Sequence, residues 1–153
     1  MIDLEIKKIS VMHAKELSEL LSNSSQEYNQ HFIPFNFDEE TISNILGNIV
    51  NDFFYGIYSS KKLIGFYMLR GFDEGYKIPS YGVFIKEEFA GKGLGRLTLD
   101  HAISQSRLLG CKRIMLKVHP ENTNAKELYL RTGFKQEGCD PKNSNLIMFK
   151  DLK

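Results

Sequence analysis

The chain has 153 residues, 42% of them hydrophobic and 25% charged, with a formal net charge of +1. That size and balance fit one globular domain over residues 1–153 with a single core, and give no footing to a nucleic-acid or polyanion partner. No apolar run reaches the ~18 residues a membrane span needs, and MIDLEIKKI lacks a signal peptide's apolar segment, so a cytoplasmic protein is expected.

Ile2, Leu4 and Ile6 alternate with Asp3, Glu5 and Lys7, the period of a strand with one wet face. Ser10 can cap a helix carrying Val11, Ala14, Leu17 and Leu21 at helical spacing, broken by residues 22–26. An aromatic loop follows over residues 28–37, then Asp38 opens a helix with Ile42, Ile45, Leu46 and Ile49 on one face. Residues 53–58 and 63–69 read as a hairpin. The loop 71–79 leads to a strand at 81–85, a glycine-rich turn, and a helix closed by Gly110. Residues 113–118 alternate as a strand ended by His119-Pro120, 122–132 form a helix stopped by Gly133, and 134–139 with 146–150 make a last hairpin. Hairpins mixed with crossovers predict an α/β (α+β) protein with a mixed sheet and helices on its faces. Cys111 and Cys139 form no CxxC, and His13, His31, His101 and His119 show no ligand spacing, so neither a disulfide nor a metal is expected.

The chain is organised around YGVFIKEEFAGKGLGRL, Tyr81 to Leu97. Gly91, Gly93 and Gly95 permit tight backbone angles and close approach of a ligand. A helix start offers unpaired N–H groups and a partial positive charge, which suits a phosphate. Lys92 and Arg96 stand where the helix dipole disfavours cations by about 0.3–1 kcal/mol, whereas the helix after Asp38 begins with acids. That contrast suggests an awaited anion; on charge alone, two cations solvating a loop explain it equally well. The spacing excludes the Rossmann and kinase pattern, because Arg96 falls where G-x-G-x-x-G needs glycine, and it excludes Walker A, because Gly93 follows Gly91-Lys92.

Ala90 to Gly95, AGKGLG, resembles the [Q/R]-x-x-G-x-[G/A] acetyl-CoA signature of the GNAT (GCN5-related) N-acetyltransferase superfamily, with Ala90 replacing its Gln or Arg. A second stretch, NTNAKELYLRTGF, is similar to the superfamily pattern N-x-x-A-x-x-L-Y-x-x-x-G-F at Asn122, Ala125, Leu128, Tyr129, Gly133 and Phe134. The resemblance covers residues 53–138 most strongly. It implies a mostly antiparallel sheet of about seven strands with splayed central strands, and acetyl transfer from acetyl-CoA to a primary amine in a ternary complex.

Carried over by position, the resemblance implies that Val83, Phe84 and Ile85 offer backbone groups to the pantetheine arm. The Ile85 N–H also holds the acetyl oxygen as charge develops on it. Gly91, Lys92, Gly93, Leu94, Gly95 and Arg96 take the pyrophosphate, Asn122 bonds the arm, and Tyr129 is the general acid. Without the motif, Tyr129 reads as a core tyrosine. The superfamily's general bases do not carry over, since Lys117 and Pro79 stand at their positions. Glu74 and His119 lead the remaining candidates, with Asp73, His31 and a water relay beside them. His31, Phe32, Phe35, Asp73 and Tyr81 are the expected acceptor-binding residues, and aromatic walls with a few carboxylates suit a small amine such as an amino sugar. Two rivals stand: a protein N-terminal or lysine acetyltransferase, and a non-catalytic acetyl-CoA-binding domain. The resemblance leaves a homodimer open.

Overall fold

A computed structural model describes residues 3–32 and 34–153; Ile2, which opens the predicted first strand, lies outside them. Seven strands form one sheet in the order β1-β2-β3-β4-β5-β7-β6. They are β1 (Leu4–Lys8), β2 (Phe53–Ser59), β3 (Lys62–Arg70), β4 (Ser80–Ile85), β5 (Arg113–Val118), β6 (Lys135–Cys139) and β7 (Leu146–Asp151). The helices are α1 (Ala14–Ser22), α2 (Gln26–Asn29), α3 (Glu39–Gly47), α4 (Leu94–Leu108) and α5 (Thr123–Arg131). β1 with β2, β5 with β7, and β6 with β7 pair antiparallel, and β4 with β5 parallel. The expected fold class and nearly all expected elements are present. Three departures are local. Val11–His13 is a 3-10 turn ahead of α1, the aromatic loop contains α2, and the loop before β4 holds a 3-10 turn, Phe72–Glu74.

The chain folds as two compact units, Met1–Met68 with Val83–Gly95 and Leu69–Gly82 with Arg96–Lys153. In the first unit, strand alternation sends side chains to two apolar faces. Phe54, Leu63, Phe66, Met68 and Phe84 pack with Leu17, Leu21, Ile42 and Leu46 of α1 and α3. Ile57 and Ile64 point the other way and pack with Leu94 at the start of α4, with Ile6 and Ile85 alongside. A sheet covered on both faces explains why β3 is a continuous apolar run instead of an alternating one. Asp38 caps α3 as expected, accepting the Thr41 N–H at 2.9 Å, and that bond holds its carboxyl below the ordinary carboxylate value.

The β2–β3 hairpin turns on Ser60 and Lys61, both left-handed with φ of 50° and 68°. Two-residue turns of this hand favour glycine at such positions. Lys61→Gly is therefore expected to stabilise the protein by about 1 kcal/mol in urea titration; no gain would show that the turn relaxes without cost.

In the second unit Ile114, Leu116 and Val118 fill one face of β5, and Leu99, Ala102, Ile103, Phe134 and Met148 are buried. Both of its helices end in the same way. Gly110 follows α4 at φ 80°, its N–H bonded to Arg107 O and the Cys111 N–H to Ser106 O. Gly133 follows α5 at φ 100°, its N–H bonded to Leu130 O and the Phe134 N–H to Tyr129 O. Each is a Schellman cap requiring a left-handed residue. Cys111 and Cys139 are free thiols.

Candidate active site

In the first unit, β4 carries Val83, Phe84 and Ile85 into a 3-10 turn, Glu87–Phe89, and then the glycine loop. Phe84 is buried, while Val83 and Ile85 are half-buried. The Lys86 N–H donates to Ile64 O at 2.8 Å. Because backbone groups alternate along a strand, Ile85 therefore turns its own N–H and C=O to the edge away from β3. The ladder between β4 and β5 registers Ser80 with Met115 and Tyr81 with Leu116.

The glycine loop fits a phosphate group. Gly91 and Gly93 hold φ of 75° and 84°, and a Cβ on either would meet nothing within 4 Å. Packing does not demand glycine there; the backbone angle does, and the surface beside it is open. α4 starts at Leu94 with no acid in its first turn, so none of its own first-turn side chains offsets its partial positive charge. Lys92 is exposed, and Arg96 reaches Asp100 at 3.3 Å on the surface. Such a pair is worth at most about 1 kcal/mol and releases its arginine readily. Ala90, in place of the signature's Gln or Arg, spends its N–H on Glu87 O.

The expected acceptor loop is more occupied than its sequence suggests. Tyr28, Phe32, Phe35 and Phe37 pack against the first unit's core. Phe32 lies 5.8 Å from Phe66 and 5.5 Å from Phe84, and Phe35 lies 6.4 Å from Phe54. These rings hold the loop onto the sheet, and Phe32, Phe35 and Phe37 each stay partly exposed. His31 is exposed.

In the second unit Asn122 is the N-cap of α5, its Oδ1 taking the Ala125 N–H at 3.4 Å. Tyr129 lies about two turns into the motif with its ring against Phe134, 5.8 Å between centroids. Tyr129 and Phe134 occupy the two positions of a Schellman cap that normally touch. The second sequence motif is thus largely a set of helix stops and caps that together fix one tyrosine. Tyr129 is 7% exposed, held in the interior with its polar tip at the end of the ring. Burial pushes its pKa up to about 12.

Asp73 and Glu74 are exposed on the 3-10 turn between Gly71 and Gly75, both left-handed. His119 is half-buried, and its Nδ1 accepts the Glu121 N–H at 3.1 Å. That bond places the neutral ring's proton on Nε2, leaving no lone pair there for a base, which argues against the expected role of His119. Tyr81 departs from its expected place in an acceptor site: it is buried and its hydroxyl pairs with Thr98 Oγ1 at 3.1 Å. Lys117 of β5 pairs with Asp140 at 3.0 Å. Tyr28, which the sequence places in the aromatic loop expected to line the acceptor site, donates its hydroxyl to Ile85 O at 2.5 Å. The two residues are 57 positions apart, and no local pattern signals that bond.

A strand that runs through an open glycine loop into an acid-free helix start, within this sheet order, is the arrangement that the resemblance to coenzyme A-dependent acyltransferases leads one to expect. Residues 15–134 match the model of the Acetyltransferase (GNAT) family, and the chain belongs to that family. It is similar to a spermine/spermidine N(1)-acetyltransferase of Bacillus subtilis (strain 168), 36% identical over 104 residues that span 63% of this chain and 68% of that protein. A spermidine N(1)-acetyltransferase of Thermoplasma acidophilum is 26% identical over 159 aligned positions, 96% of each chain. Among solved structures, the PaiA N-acetyltransferase of Thermoplasma acidophilum in complex with coenzyme A superposes with a TM-score of 0.78 at 25% identity, covering 97% of this chain and 99% of that one. A Vibrio cholerae spermidine N-acetyltransferase in complex with CoA and spermine matches the fold with a TM-score of 0.78 at 22% identity, covering 97% and 95%. The chain is accordingly a GNAT-family N-acetyltransferase. Among the described residues no helix is long and apolar enough to cross a membrane.

Proposed function

We propose that this protein, a single GNAT domain over residues 1–153, transfers the acetyl group of acetyl-CoA to a primary amine of a polyamine such as spermidine or spermine. The carrying observation is the likeness to polyamine acetyltransferases, one 36% identical and another aligned over 96% of both chains. Two features of the structure support it. Phe32 and Phe35 are engaged in packing, which weakens the case for stacking an amino sugar. Asp73 and Glu74 are exposed carboxylates on a glycine-flanked turn, suited to attract a flexible polycation.

Acetyl-CoA, when bound, supplies an activated thioester. The N–H groups of Gly91, Lys92, Gly93, Leu94, Gly95 and Arg96 are proposed to hold its pyrophosphate, with Val83 and Phe84 of β4 and the Asn122 side chain along its arm. The Ile85 N–H is the proposed donor to the acetyl oxygen, in place before charge develops. An alkyl amine near pKa ~10 must lose a proton before it can attack, and Glu74 is the proposed base, directly or through water, with His31 and Asp73 as proposed acceptor contacts. Tyr129 offers its proton towards the departing sulfur.

The test is a thiol-release assay on purified protein with acetyl-CoA and spermidine, spermine, glucosamine and a free-N-terminus peptide. Spermidine or spermine is expected to exceed the others at least tenfold in kcat/KM. A preference for glucosamine would return the amino-sugar reading, and turnover of the peptide alone would make the protein a protein acetyltransferase. CoA binding with no turnover on any amine would make it a non-catalytic binder. In Asp73→Asn, KM for spermidine is expected to rise about fivefold, equivalent to ~1 kcal/mol of screened attraction, whereas Glu74→Gln, which removes the proposed base, is expected to lower kcat about 100-fold.

A further inference from the structure

We propose that Tyr28 is a positioning residue for acyl transfer: its hydroxyl caps the Ile85 carbonyl, so that this edge of β4 presents the Ile85 N–H to the acetyl oxygen without an opposing negative charge beside it. This deepens the reading of Ile85 as the donor to that oxygen and rests on it.

The geometry lies within the first unit. Ile85 turns both its N–H and its C=O to the edge of β4 away from β3, because Lys86, next in line, bonds to Ile64. A donor and an acceptor from one residue thus share that edge. A carbonyl oxygen left bare there would repel an oxygen gaining charge at the adjacent N–H, and repulsion of this kind grows where water is excluded. Tyr28 sets the positive end of its O–H dipole on that carbonyl at 2.5 Å. An ordered donor already in place costs no reorganisation when charge develops.

The phenol is aimed by its surroundings. Ser25 caps α2 and accepts the Tyr28 N–H at 3.1 Å, which sets the backbone. The ring stands edge-on to Phe84, with centroids 5.8 Å apart at 81°, which sets the side chain. Burial, with the Glu87 carboxylate as a second cause, raises the Tyr28 pKa, so the group remains an O–H donor at neutral pH. Neither sequence motif of the family includes Tyr28, so the residue's role comes from the fold alone.

Tyr28→Phe removes one oxygen and keeps the ring against Phe84. The Ile85 amide is followed by 15N–1H NMR as acetyl-CoA is added to the wild type and to the variant, an arm that needs no acceptor. In the wild type that resonance is expected to shift on binding, and in Tyr28→Phe the shift is expected to fall to less than half. With spermidine, kcat is expected to drop about tenfold while KM for acetyl-CoA stays within twofold. An equal NMR shift in both proteins, or an unchanged kcat, would overturn the role of Tyr28 while leaving that of Ile85 intact. Parallel losses in acetyl-CoA affinity and melting temperature would reduce Tyr28 to a packing residue. If the wild-type Ile85 resonance ignores acetyl-CoA, the underlying reading of Ile85 fails and the proposal falls with it.

Discussion

Gly65→Ala is expected to destabilise the protein by about 3 kcal/mol, the upper part of the range for overpacking a filled core. A Cβ at Gly65 would lie 2.6 Å from Phe84 O, 3.0 Å from Ile85 Cδ1 and 3.2 Å from Ile57 Cδ1. The nearest of these atoms is backbone, which cannot rotate away, so β3 and β4 would have to move apart. Gly56 supplies the control. Its Cβ would come within 2.9 Å of Ile9, Leu63 and Tyr58, but all three atoms belong to side chains that can turn. Gly56→Ala is therefore expected to cost about 1 kcal/mol, and urea midpoints at constant slope would measure the difference. Movement at Phe84 and Ile85 should also raise KM for acetyl-CoA in the Gly65 variant. Equal stability losses in the two variants would show that β4 yields as easily as a side chain.

Tyr129→Phe is expected to lower kcat by about 10- to 100-fold with CoA affinity unchanged. The ring contact with Phe134 and the Schellman bonds of α5 survive the change, because they need no hydroxyl. What is lost is one proton held at a buried position. With the phenol pushed up to about 12 and a thiol near ~8.5, complete transfer to sulfur is uphill, so the role proposed for Tyr129 is hydrogen-bond donation as the sulfur departs. The same shift has a consequence for stability. The folded-state value lies above the unfolded value of ~10, so the neutral ring's contribution is fully present below pH ~10. It is lost as the pH rises from there through about 12. Wild type should lose on the order of 2 kcal/mol more than Tyr129→Phe across that window, read by melting temperature against pH. An unchanged kcat in Tyr129→Phe would exclude the residue from the chemistry, and identical alkaline profiles would show that its phenol is solvated.

The family assignment was legible because its marks are short and local. Gly133 stops a helix where a left-handed residue is required, Asn122 starts one by accepting an N–H, and Gly91 and Gly93 turn a loop; each depends on neighbours within a few positions. The same holds for Asp38 at α3 and for the alternation along β5. The acceptor side was less legible. Aromatic residues between two helices read equally well as a binding wall or as packing, and only the ring contacts of Phe32 and Phe35 with Phe54, Phe66 and Phe84 make the packing part visible. His119 and Tyr81 looked available until the Glu121 N–H and Thr98 were found on them.

By itself, then, the order of residues determined the elements, the glycine loop and the placing of one tyrosine within a capped helix, since such features are settled by backbone angles and nearby bonds. Only the tertiary structure decided that Gly65 must be bare because a carbonyl of the next strand lies against it, and that Tyr28 holds a carbonyl 57 residues away. Contacts between distant segments depend on strand pairing and side-chain direction, and neither is written in the spacing of neighbours.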